Sequence, residues 1–285
     1  MVTRPNRPSS RAAWIALGVA VCLAAAVPAQ AGLIAYWGFN DALDPVTALD
    51  TSGRGNHGIL MGPAAYTADA GGVSGLAGDY AMDFGTVNNG ARVVLYTAAS
   101  GAFDSLTANN TATIALWVLG HGSQPQGDTL FGFYNSTNAR MLQAHIPWSD
   151  RNIYWDTGGC CSVGVHRIFK NEPDETKWKG QWNHYVFVKD GNQSRIYQNG
   201  ELWHSGSTSA SIGQIVHGTI GSRNDGGESY AGMMDDFAVW DTALPENWIQ
   251  GLASGQTPLQ VPEPATLTLL GLGAMGLAAR RRKRR

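Results

Sequence analysis

The stretch Trp182-Asn183-His184-Tyr185-Val186-Phe187-Val188-Lys189-Asp190-Gly191-Asn192-Gln193-Ser194-Arg195-Ile196-Tyr197-Gln198-Asn199-Gly200-Glu201-Leu202-Trp203-His204 decides the fold. Its β-branched and aromatic residues come in short runs broken by turn residues, which is the pattern of strands. Lys189-Asp190-Gly191-Asn192 ends the first run in a turn. Asn199-Gly200 ends the second in a hairpin, because a type I′ turn needs two residues that tolerate positive φ. Residues 182–204 therefore predict a three-stranded antiparallel meander. Outward from it, 33–37, 112–118 and 236–240 show the same alternation between Gly, Asn, Asp or Pro boundaries. One helix is expected after Leu244, with Pro245 at its first position and Gly251 near its end. The Ala/Gly-rich stretch 62–78 reads as a surface loop. No fixed-period repeat is visible. Many short strands with one short C-terminal helix predict an all-β antiparallel sandwich or barrel.

Both ends of the chain fall outside that pattern. Arg4, Arg7 and Arg11 precede the uncharged run 12–27, and Ala29-Gln30-Ala31 is an A-x-A cleavage site. Residues 1–31 thus read as a signal peptide, with the mature chain starting at Gly32. Cys22 lies behind Val21, whereas lipoprotein processing wants a small residue there. At the other end, Pro262-Glu263-Pro264 leads into the uncharged segment 265–279 and then six consecutive cations, 280–285. Fifteen residues reach about 22 Å as a helix, short for a ~30 Å hydrocarbon core. A transient membrane anchor with its basic end in the cytoplasm is expected. Residues 32–253 are left for the folded domain and 254–260 for a linker.

The formal net charge of −2 at pH 7 hides an asymmetry. Of the 20 Lys and Arg, nine lie in the two terminal segments, and of the 22 Asp and Glu only Glu263 does, so the domain between them carries about ten net negative charges. Such a surface repels nucleic acid and anionic lipid and is compatible with divalent cations or neutral glycans.

The order Pro-Glu-Pro, apolar segment, Arg cluster resembles the PEP-CTERM sorting signal of exopolysaccharide-producing Gram-negative bacteria. The resemblance implies an exosortase as processing partner and a destination outside the cell. A second resemblance covers 32–253. The blocks 34–40, 50–58, 81–85, 114–118, 182–185, 196–200, 220–221 and 234–244 follow in the order found in LamG-like domains of the concanavalin A-like lectin/glucanase superfamily. It implies a jelly roll of two packed antiparallel sheets. It also implies a calcium site, for which Asp41, Asp50, Asn56 and Asp235 are the matching oxygen donors, with His57 lending a carbonyl. Calcium takes six to eight oxygen ligands. The alternative for the same residues is that Asp50 caps a turn and Asp235 faces water.

Retaining glucanases of this superfamily carry Glu-x-Asp-x-x-Glu on one strand, which sets acid and nucleophile about 5–5.5 Å apart. The chain lacks it. Glu172-Pro173-Asp174-Glu175 is the nearest fragment, and its proline argues for a solvated loop. Asp235-Asp236 are neighbours that a strand would point to opposite faces. No serine-hydrolase, zinc-protease or phosphate-loop motif is present.

Trp37, Phe39, Phe84, Trp117, Trp182, Phe237 and Trp240 are expected in the core between the sheets, where aromatic area is most valuable. The segment 145–182 mixes aromatic and polar residues as a sugar site does: His145, Trp148, Asp150, Tyr154, Trp155, Asp156, Arg167 and Trp178. A flat ring covers the C–H face of a pyranose while polar groups bond its hydroxyls. The competing reading is a strand pair that buries Tyr154 and Trp155 under a solvated turn. Cys160-Cys161, the only cysteines left after removal of Cys22, stand beside each other in a chain bound for an oxidising compartment. A vicinal disulfide, a reduced pair and an interchain link are all open. Gly158-Gly159 supplies the freedom a vicinal ring needs. The functional expectation is a secreted, non-catalytic carbohydrate-binding or adhesion module of the extracellular polymer matrix, taking polysaccharide or a cell-surface glycan. The alternatives are a structural or protein-adhesion module and, third, a glycoside hydrolase.

Overall fold

The structure is a computed structural model, and it describes residues 32–86, 88–95 and 101–260. The signal-peptide, sorting and membrane-segment readings lie outside these residues. Among the described residues no helix is long and apolar enough to cross a membrane.

In chain order the strands are β1 (Leu33–Trp37), β2 (Thr47–Ala48), β3 (Gly58–Met61), β4 (Ala65–Tyr66), β5 (Met82–Asp83), β6 (Arg92–Leu95), β7 (Thr111–Gly120), β8 (Phe131–Tyr134), β9 (Arg140–His145), β10 (Asn152–Thr157), β11 (Arg167–Asn171), β12 (Asn183–Asp190), β13 (Gln193–Gln198), β14 (Glu201–Ser207), β15 (His217–Ile220) and β16 (Gly232–Trp240). The helices are α1 (Asp104–Asn109) and α2 (Glu246–Ala253). Every strand pairing is antiparallel. The first sheet runs β14-β13-β12-β7-β16-β5-β4, with β1 also on β16; the second runs β11-β10-β9-β8-β15-β6-β3-β2. This is the two-sheet sandwich that the sequence predicts, consistent with a jelly roll.

The meander forms as read. β12 and β13 turn at Gly191-Asn192, and β13 and β14 turn at Asn199-Gly200, where φ is +50° and +86°. One edge of β16 lies on β7. Its other edge is shared: Met233 and Met234 pair with β5, then 237–240 pair with β1. The handover is a bulge at Asp235–Asp236, with Asp236 at φ +50°. The loop after β2 clasps β1. Asp50 accepts from the backbone N–H of Tyr36 (2.9 Å), Ser52 (2.9 Å) and Asn56 (2.8 Å), and the Asn56 amide donates to the Ile34 carbonyl.

Alternate residues of facing strands fill the sandwich: Ile114, Leu116 and Val118 of β7, Phe187 of β12 and Phe237 of β16 meet Phe131 and Phe133 of β8, Leu142 of β9 and Trp155 of β10. A second apolar layer lies on the outside of the first sheet. There α2 sets Ile249 and Leu252 against Val186, Val188, Ala238 and Trp240.

Three expected core aromatics are corrected by strand phase. Trp117 falls between the inward Leu116 and Val118, so it points outward, half-buried against the ring of His184 at 5.0 Å. Trp182 precedes β12 and is half-buried. Trp240 is fully buried, but beneath α2 and not between the sheets. Pro245 precedes the first helical residue with φ −70° and ψ 155°, one place earlier than expected. The 62–78 loop contains the short edge strand β4. The residues read as a linker include a 3₁₀ turn, Pro258–Gln260, whose Leu259 packs against the helix-covered layer.

Candidate functional site

Among the described residues no helix covers the outer face of the second sheet, and most of its outward residues are polar. Leu142 and Ala144 of β9 and Ile153 and Trp155 of β10 point into the sandwich, so Gln143, His145, Tyr154 and Asp156 point away. Gln143, His145 and Asp156 are nevertheless buried. Loops fold across them and leave a cleft of about 260 Å³, lined by Arg140, His145, Trp148, Tyr154, Cys161, Arg167 and Glu228.

Asp156 is the floor of this cleft. Arg167 grips it with two parallel bonds, Nε to Oδ1 at 2.5 Å and a terminal nitrogen to Oδ2 at 2.6 Å. Arg140 adds a third at 3.1 Å. The Arg167 guanidinium also lies 4.3 Å from the Tyr154 ring centre. Burial acts to lower the Arg167 pKa, but the bond to Asp156 and its charge win and raise it. The Tyr154 hydroxyl donates to Asp150 at 2.6 Å, and its ring stacks on exposed Phe169 at 5.2 Å.

His145 forms the back wall. Its Nδ1 is 2.6 Å from the Asp128 carbonyl, which only accepts, so Nδ1 carries the proton and Nε2 accepts from the Gln143 amide at 3.1 Å. Burial lowers its pKa to about 4, so at neutral pH the ring is uncharged. Trp148 starts the turn between β9 and β10 and packs edge-on against the His145 ring at 4.7 Å. It stays half-exposed toward the cleft. Gly127 makes room for it: a Cβ there would stand 3.2 Å from the indole. Glu228 closes the far side, with Oε1 accepting from Arg223 at 2.7 Å and Oε2 from Thr129 at 3.2 Å.

The rim beside β11 carries the cysteine turn. The Cα atoms of Cys160 and Cys161 are 3.7 Å apart and their sulfurs are side by side. Gly158 has φ +65°, and a Cβ on it would meet the Ser211 carbonyl oxygen at 2.3 Å, so glycine alone fits there.

Against this geometry, residues 94–250 match the family model described as the concanavalin A-like lectin/glucanases superfamily. The chain belongs to that superfamily. Residues 260–283 match the PEP-CTERM protein-sorting motif, which marks an exosortase-processed extracellular protein. No curated protein matches the chain. Among solved structures, the chain is similar to the binding domain of botulinum neurotoxin DC in complex with rat synaptotagmin II, at TM-score 0.61 and 12% identity over 79% of this chain and 52% of that one. It is similar to domain 4 of AbnA, an extracellular arabinanase from Geobacillus stearothermophilus in complex with arabinotriose, at 0.51 and 18% over 79% and 100%. It is also similar to a Trypanosoma rangeli sialidase, at 0.57 and 17% over 79% and 33%. The chain spans about half the length of the neurotoxin chains it matches. At these identities the likeness is one of fold, and it embraces binding domains and hydrolases alike.

Of the eight residues expected to bind ligand in this member of the superfamily, the fold brings His145, Trp148, Tyr154 and Arg167 to one cleft. Asp156 lies beneath them and Asp150 braces Tyr154 from the exposed side. Trp155 and Trp178 are corrected: both are fully buried, Trp155 donating to the Val188 carbonyl and Trp178 to that of Glu172. Adjacent Tyr154 and Trp155 cannot share a face of one strand, so one is core and the other is surface. Arg140 and Glu228 escaped the sequence reading. Alternation along β9 would give Arg140 the inward phase of Leu142 and Ala144, and the register shift between β8 and β9 at Phe133–Tyr134 breaks that phase, so no regular strand pattern announces it. Glu228 has no local signal, because a glycine-rich loop far along the chain brings it in.

The expected cation donors do not form a ready oxygen cage. Asp50 spends both oxygens on three backbone N–H groups. Asp235 accepts from Val73 and Asp236 N–H, and burial pushes its pKa up to about 8, disfavouring the charge a cation needs. The Asn56 side chain holds β1, and the His57 ring accepts from the Asp50 N–H. Asp41 has its pKa raised by partial burial and by Asp44. Among the described residues no group of three or more His, Cys, Asp or Glu is arranged around a metal position. Glu172, read as loop, is buried and accepts from the Trp203 indole at 2.9 Å.

Proposed function

We propose that this domain is a non-catalytic saccharide-binding module of the extracellular polymer matrix, exported from a Gram-negative cell after transient anchoring in the inner membrane. The observation that carries the reading is the lining of the outer-face cleft. A half-exposed indole, a tyrosine edge and a neutral imidazole stand beside fixed guanidinium groups and a carboxylate. Aromatic area with a few oriented polar groups is what a sugar ring requires. The size of the cleft suits one ring better than a long oligosaccharide. Support for a binding role over hydrolysis comes from the carboxylates. Asp156 gives both oxygens to Arg167 and Arg140, and Glu228 gives one to Arg223 and the other to Thr129, whereas a glycosidase needs two carboxyls available to the scissile bond.

A glycan array with the exported protein tests the reading, followed by calorimetry on each hit. Trp148→Ala is expected to weaken a hit on the order of ten-fold, the effect of removing a central aromatic contact. Unchanged affinity in that variant rules out the cleft. An array without hits, alongside capture of a partner protein, favours the adhesion reading.

The processing reading is tested by the intact mass of the exported form. The expected chain begins at Gly32, ends near Val261-Pro262-Glu263-Pro264, and gains two hydrogens on reduction as a vicinal Cys160–Cys161 bond opens. Peptides from 265–285 on the extracellular form contradict the sorting step, and an unchanged mass or a disulfide-linked dimer contradicts the ring.

A further inference from the structure

We infer that the cleft selects a sugar bearing a carboxylate, a uronic acid unit, over its neutral counterpart. The inference rests on the saccharide reading of the cleft and adds the chemical class of the ligand. Two guanidinium groups, Arg140 and Arg167, share the single buried carboxylate of Asp156. Arg167 spends Nε and one terminal nitrogen there, and Arg140 spends one terminal nitrogen. The other terminal nitrogen of Arg167, and Nε and the second terminal nitrogen of Arg140, have no protein partner among the described residues. The Trp148 indole N–H likewise has no protein partner among the described residues. Unspent hydrogen-bonding capacity on this side of the cleft is therefore donor capacity, and much of it is charged.

The surrounding acids do not cancel it. Glu228 is held by Arg223, which also reaches Asp225, but the Asp225 side chain is 57% exposed and screened by solvent. Asp150 is exposed and turned to Tyr154 and Asn152. The cleft lining thus sets Arg140 and Arg167 against one carboxylate, Glu228, which Arg223 binds from outside the lining, while Asp156 beneath is fully engaged by the two lining cations. A guanidinium presents N–H pairs in a planar fork that matches a carboxylate, and such charge-assisted bonds are about twice as strong as neutral ones.

The test uses the exported protein and three trisaccharides of one linkage: a uronate, its carboxyl-reduced neutral form, and the neutral form carrying a sulfate ester at the same carbon. The uronate is expected to bind at least about ten-fold more tightly than the neutral form. Arg140→Gln is expected to bring that ratio close to one, and Arg140→Lys, which keeps the charge without the fork, to restore it in part. A melting curve on each variant confirms that it is folded. Equal or tighter binding of the neutral sugar overturns the inference and leaves the saccharide reading intact. A sulfate ester that binds as well as the uronate overturns the choice of carboxylate. Failure of all three, in a protein that also gives no hit on the array, removes both readings together.

Discussion

Asp156→Ala is expected to unfold the domain at a temperature roughly 6–12 °C lower and to abolish binding in the cleft. Asp156 is fully buried, and the Arg167 and Arg140 side chains are only 16% and 23% exposed. Removing the carboxylate leaves two cations facing each other across β9, β10 and β11 with no carboxylate bonded to either. Breaking a buried pair from one side costs about 3–5 kcal/mol. The cleft gives both guanidiniums some access to water, so the lower figure, about 3 kcal/mol, applies. At roughly 2–4 °C per kcal/mol for a domain of this size, that is the shift stated. Asp156→Asn keeps the shape but supplies one acceptor oxygen and no charge, and it is expected to lose nearly as much. Thermal denaturation by circular dichroism measures both. A loss below about 1 kcal/mol would mean that the arginines find other partners, and that Asp156 does not set the floor of the site.

Phe131→Ala is expected to be the more damaging change, by about 3–5 kcal/mol. The Phe131 ring touches Phe187 and Phe237 of the first sheet at 5.8 and 5.4 Å, and Phe133 and Trp155 of the second at 6.1 and 6.0 Å. It is the point where the two sheets interlock, and none of these rings can move into the gap without leaving its own strand. Against a total stability of about 5–15 kcal/mol, the loss is a large share. Trp117→Ala removes a bigger side chain, yet it is expected to lose only about 1 kcal/mol, because Trp117 lies half-exposed on the outer face. Urea unfolding of the two variants decides the matter. Equal losses would contradict the assignment of Trp117 to the outside.

The residues that made the fold legible act locally. Gly191 and the Asn199-Gly200 pair fix their turns by backbone conformation alone, so the meander could be read without its neighbours. The phase of the strands could not. Whether Trp117 or Leu116 faces inward depends on which side the other sheet lies, and α2 then buries Trp240 on the side that alternation assigns to solvent. The candidate site was half legible for the same reason. His145, Trp148, Tyr154 and Arg167 lie within one hairpin region and announce themselves by type. Arg140 enters by a cross-strand ion pair, and Glu228 by a loop bonded to Thr129 ninety-nine residues earlier. Asp50 has the residue type of a cation ligand, but its oxygens are consumed by the turn that it caps.

The pairing of β1 with β16 has a kinetic consequence. Among the described residues β16 is the only strand partner of β1, and β5 anchors β4 to the same strand. In a chain that emerges N-terminus first, residues 33–37 have no strand to pair with until 237–240 are available, and the β4–β5 pair cannot join the sheet until 233–234 are. Contacts spanning some two hundred positions must wait, and β-sheet domains dominated by such contacts fold in milliseconds to seconds. The nascent domain is therefore held open by its own topology. The last long strand to appear is also the one that locks the first in place.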